Sequence, residues 1–87
     1  MSYYLLTFRS LTFGQRAKKF LERDSITAYM MRIPKVLAEN GCGYCIKIKE
    51  KDLVAALELL NRVNIKPVRV YEITEYGYEK IEFDLFW

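Results

Sequence analysis

The spacing of apolar and polar residues changes several times along the chain, and each change marks an element. Residues 3–9 (YYLLTFR) alternate, with Tyr4, Leu6 and Phe8 in phase, which predicts a strand ending in a turn at Ser10 and Leu11. Thr12 then opens a helix, with Gln15 completing a T-x-x-Q capping box. Phe13, Ala17, Phe20 and Leu21 fall on its apolar face, and Arg16, Lys18, Lys19, Glu22 and Arg23 on its wet face. Residues 26–32 predict a second strand. Pro34 and the run Asn40-Gly41-Cys42-Gly43 predict a loop. Strict alternation returns with Tyr44, Ile46 and Ile48 set against Cys45, Lys47 and Lys49, a third strand with one buried face.

Residues 51–64 carry the clearest helical stripe: Leu53, Ala56, Leu57, Leu60 and Val63, closed by Asn64 as a left-handed cap. Pro67 leads into a fourth strand over 68–72. The order β-α-β-β-α-β predicts an α+β, ferredoxin-like fold, with two helices on one face of a four-stranded antiparallel sheet and the other face open. Residues 74–87 alternate again, with Ile81, Phe83, Leu85 and Trp87 on one side. They are expected to form a fifth strand or an arm that packs on the open face, of the same chain or of a second protomer. One domain over 1–73 with a C-terminal extension over 74–87 is therefore expected.

Composition narrows the class. The chain has 87 residues, 52% of them hydrophobic, with 4 Gly and 2 Pro, which excludes a disordered or collagen-like chain. No apolar run is long enough for a membrane-spanning helix and no signal-peptide pattern is visible, so a soluble cytoplasmic protein is expected. The net charge of +3 permits a polyanionic partner without requiring one. Histidine is absent, which removes Ser-His-Asp and Cys-His machinery from a single chain. A binding protein is expected more than a turnover catalyst, with no cofactor.

Both cysteines fall in NGCGYC, Cys42 and Cys45 spaced C-x-x-C where the loop becomes the third strand. Four readings stand side by side. Each cysteine can be an inert apolar filler. Alternatively, Cys42 is a reactive thiol, opened to approach by Gly41 and Gly43. Arg32, Lys35, Lys47 and Lys49 would then favour its thiolate, Glu39 would oppose it, and Cys45 would serve as a resolving thiol. A thioredoxin site is not indicated, because its C-x-x-C opens a helix. Two thiolates give only half a zinc site, which a second protomer would have to complete, and no metal is expected. Finally, NGCGYCIK retains the glycines and central aromatic of the RNA-recognition octamer but lacks its leading base and two outer aromatics. Tyr3, Tyr29 and Tyr71 would have to supply the stacking, and nucleic acid is not the expected partner.

Three stretches carry a family resemblance: YYLLTFRSLTFGQRAKKFLERDSI, the proline-containing loop ending in Cys42-Gly43, and KDLVAALELLNRVNIKPVRVYEI. Over residues 3–73 the chain resembles the bacterial selenium/sulfur (Se/S) carrier protein-like family. It departs from the family's pattern at Asn40-Gly41 and at Lys35-Val36-Leu37. The resemblance implies that Cys42 holds sulfur or selenium as a persulfide or perselenide, received from a donor protein and passed to an acceptor. The alternative is an interaction or homodimerisation module using the open sheet face and the tail.

Overall fold

The computed structural model describes residues 2–38 and 43–81. Among them, strands β1 (Tyr3–Phe8), β2 (Tyr29–Arg32), β3 (Tyr44–Lys49), β4 (Arg69–Thr74) and β5 (Gly77–Ile81) alternate with helices α1 (Leu11–Arg23) and α2 (Leu53–Arg62). The strands form one antiparallel sheet in the order β2-β3-β1-β4-β5. Each crossover helix thus joins two strands with a third lying between them, the split βαβ connection. The sheet has five strands rather than four: of the two alternatives for residues 74–87, a fifth strand or an arm, residues 77–81 take the first. Thr74 to Gly77 turns the chain back, the Thr74 hydroxyl bonding the Gly77 carbonyl and the Tyr76 amide, and β5 pairs with β4. Residues 82–87, the rest of the expected arm, lie outside the described residues.

Local chemistry shifts several boundaries. Helix α1 starts at Leu11 because Ser10, held extended, accepts the Phe13 amide at 3.3 Å; the Thr12–Gln15 box is not the cap. That start turns Gly14, Ala17 and Leu21 to the sheet and leaves Phe13 exposed, against expectation. The second strand begins at Tyr29 rather than residue 26, since Ile26 and Ala28 are spent as core anchors after the helix. Residues Glu50–Asp52 form a short 3-10 turn ahead of α2.

Both helices end in the same way, a correspondence the periodicity does not reveal. LERDSI closes α1 and LNRVNI closes α2. Ser25 (φ 62) and Asn64 (φ 60) are left-handed, and the next amide returns to a leucine carbonyl: Ile26 to Leu21 at 2.9 Å, Ile65 to Leu60 at 2.9 Å. This is the Schellman closure. The leucine and isoleucine at the ends of each lock, Leu21 and Ile26, Leu60 and Ile65, are buried.

The main core lies between helices and sheet, with Leu6, Phe8, Ile46, Ile48 and Val70 from the strands meeting Ala17, Leu21, Leu57 and Leu60. A second, smaller cluster occupies the opposite face: Leu5, Cys45 and Tyr71, with Leu37 and Ile73 packed against it. Leu37 belongs to a short 3-10 turn, Lys35–Leu37, in the β2–β3 connection. The face expected to be open is therefore partly roofed by the chain's own loop.

Candidate functional site

The C-x-x-C segment enters β3 at the end of the sheet where Phe8 pairs with Tyr44 and Thr7 with Cys45. Gly41 and Cys42 lie outside the described residues. Gly43 is described: its φ of +148 is one that L side chains rarely adopt, and its carbonyl accepts the Ile33 amide at 3.2 Å. A Cβ at Gly43 would meet Ile33 Cγ2 and the Phe8 carbonyl oxygen only at ordinary contact distance. Backbone conformation, not crowding, is what requires glycine there.

Cys45 has no exposed surface. Its alternation places it on the side away from the helices, but Leu37 and the neighbouring Leu5 and Tyr71 enclose it. The Sγ–H points to the Arg32 carbonyl oxygen at 3.9 Å, a weak contact. Burial pushes the thiol up from 9.0 to about 11. A thiol in this setting is inert at neutral pH and packs as a small hydrophobe. Sequence alternation identifies the side on which Cys45 lies; the signal for its enclosure was only the single Leu37 after Pro34.

Of the cations near the loop in sequence, Lys47 is engaged elsewhere. Lys47 Nζ sits 4.4 Å from the centre of the Tyr3 ring. The aromatic platform that an RNA reading needs is broken up: Tyr71 is buried, Tyr3 sits beneath Lys47, and Tyr29 is 55% exposed. Tyr44, the central aromatic of the octamer, stands on the helix side, its Cβ 3.9 Å from where a Gly14 Cβ would be. No cluster of three or more metal-ligating side chains occurs among the described residues. No helix among them is long and apolar enough to cross a membrane.

Residues 3–72 match the model of the family described as Putative Se/S carrier protein-like. The chain belongs to this family. The match runs from the first residue of β1 into β4 and takes in both cysteines, so the family's sequence pattern covers the split βαβ units and leaves β5 outside. No curated protein matches the chain, and no solved structure does.

Proposed function

We propose that this Se/S carrier-like chain holds sulfur or selenium as a persulfide or perselenide on Cys42 and relays it between a donor and an acceptor protein. Membership of the carrier-like family carries the reading. The enclosure of Cys45 supports it further, because of the chain's two cysteines it is Cys42 that remains for chemistry. In this reading Cys45 packs beneath Leu37 and does not resolve a disulfide, and the fold is a ferredoxin-like one extended by β5 at the β4 edge.

The exchange needs only thiol chemistry. The Cys42 thiolate attacks the outer sulfur of a donor persulfide; a new S–S bond forms as the donor's S–S bond breaks, and the donor thiolate leaves with the electron pair. Delivery repeats the step, with the acceptor's thiolate attacking the outer sulfur on Cys42. No net oxidation occurs and no histidine is required. A reducing compartment such as the cytoplasm, where unpaired thiols persist, suits this role.

Intact mass spectrometry after incubation with a cysteine desulfurase and cysteine, and separately with inorganic polysulfide, tests the proposal. One reductant-labile sulfur is expected on the wild type and on Cys45→Ala, and none on Cys42→Ser. Equal loading of Cys42→Ser, or no loading from either source, refutes it.

A further inference from the structure

The positive charge of this chain is not spread evenly. Of 14 cations and 11 carboxylates in all, helix α1 holds four and one, so the remainder balances at ten of each. The whole net charge of +3 is therefore matched by the net charge of a single helix. Lys18 is paired with Glu22 at 3.1 Å. Arg23 lies over the Phe20 ring at 5.6 Å. Arg16 and Lys19 are exposed and have no carboxylate partner among the described residues.

These two cations form a ridge between two hollows. On one side, a groove of about 590 Å³ runs between α1 and the edge strand β2, lined by Thr12, Gln15, Arg16, Lys19 and Met30 and by the Lys18–Glu22 ion pair, in which the one carboxylate of the lining is already matched by a cation. On the other, Arg16 and Lys19 join Phe20 and Arg23 around a smaller hollow. Met30 brings an apolar side chain to the groove, and its Cε lies where a Gly14 Cβ would be, so glycine at 14 lets it tuck against the helix. β2 is an outer strand of the sheet, and Tyr29 and Met31 are exposed on its opposite face, away from the groove.

We infer that the groove between α1 and β2 docks an acidic, partly apolar segment of a partner protein. Carboxylates of the segment meet Arg16 and Lys19, and its apolar side chains rest on Met30. Met30, in the groove wall, packs at Gly14, and Tyr44 at the start of β3, two positions after Cys42 in the sequence, lies at the same glycine. That the partner is the sulfur donor or acceptor rests on the carrier reading; the docking surface does not. Apolar lining favours a protein segment over a nucleic acid, whose backbone asks only for charge.

The test is fluorescence anisotropy of a labelled peptide of alternating Glu and Leu, titrated with full-length Cys42→Ser protein at low and at physiological ionic strength. Removing the thiol keeps docking separate from sulfur loading, so failure here and failure of the carrier proposal are distinguishable. Binding that weakens with salt is expected. Arg16→Glu with Lys19→Glu should weaken it by at least about tenfold, whereas the same charge change at two exposed cations that do not line the groove, Lys51→Glu with Lys80→Glu, should leave it nearly unchanged. Circular dichroism confirms folding, and the Arg16→Gln, Lys19→Gln pair gives a milder version. No binding at low salt, or equal loss in both double variants, overturns the inference. Tighter binding of a single-stranded oligonucleotide that the α1 pair abolishes also overturns it, in favour of a nucleic-acid surface.

Discussion

Replacing Cys45 with alanine gives a stability change whose sign should depend on pH, and the structure sets both terms. At neutral pH the substitution removes one fully buried heavy atom from the Leu5–Tyr71–Leu37 cluster, a loss of about 1 kcal/mol on the scale of Ile→Val. The second term comes from ionisation. Burial holds the folded thiol at about 11 against 9.0 when exposed, so the native state keeps its proton more tightly than the unfolded chain. This contribution is fully present below pH 9 and is lost as pH rises toward 11. At pH 10 the wild type has given up about 1.4 kcal/mol through this group alone. Cys45→Ala gives up none of it. Tyr4, raised by burial and then by Glu72 and Glu50, titrates in both proteins and cancels in the difference. The assay is urea unfolding followed by circular dichroism from pH 7 to pH 10.5, in reductant, with Cys42→Ser in both proteins. Wild type should be the more stable at pH 7, and the two curves should meet near pH 10. A difference that stays constant across this range would show that Cys45 ionises as freely in the folded protein as in the unfolded chain, and would refute its enclosure.

Other expectations are simpler. Leu37→Ala removes the cover over Cys45 and should speed alkylation of that thiol in a Cys42→Ser protein by about tenfold or more, measured by mass spectrometry at pH 8. Ser25→Gly relieves a left-handed serine and should stabilise by about 0.5–1 kcal/mol, seen as a higher melting temperature; no rise would mean that φ is not strained there. Thr7→Val leaves the Arg69 amide without the hydroxyl that accepts it at 3.0 Å and should cost about 1–3 kcal/mol in urea unfolding.

Periodicity carried the expectations furthest where one face of an element meets the main core. The alternation of Tyr44, Ile46 and Ile48 located β3, the stripe through Leu57 and Leu60 located α2, and Asn64 closed it with the expected left-handed backbone. Boundaries slipped where a single hydrogen bond decides them. Ser10 sits extended and caps α1 two residues before Thr12, which no hydrophobic pattern reveals. The roof over the far face was illegible for a different reason: one leucine on a three-residue turn has no period. Thus the side on which Cys45 lies was readable, but its burial depended on a loop contact. The basic wet face of α1 was legible as a list of residues. Its groove was not, because Met30 comes from a strand whose place in the sheet depends on β3.

Strand order also constrains the sequence of events during folding. β1 comes first in the chain, yet its two neighbours in the sheet, β3 and β4, lie at residues 44–49 and 69–74. The two helix locks are local and can close on their own, each within six residues. Leu5, Leu6 and Phe8, by contrast, must wait for partners 36 to 66 positions away. Neither βαβ half can bury its apolar strands without the other, so the halves are expected to form together, in one cooperative step whose rate is set by closing these long loops. A fragment ending before β4 would keep the start of a sheet with one side of its central strand unpaired, the kind of edge that seeks another chain.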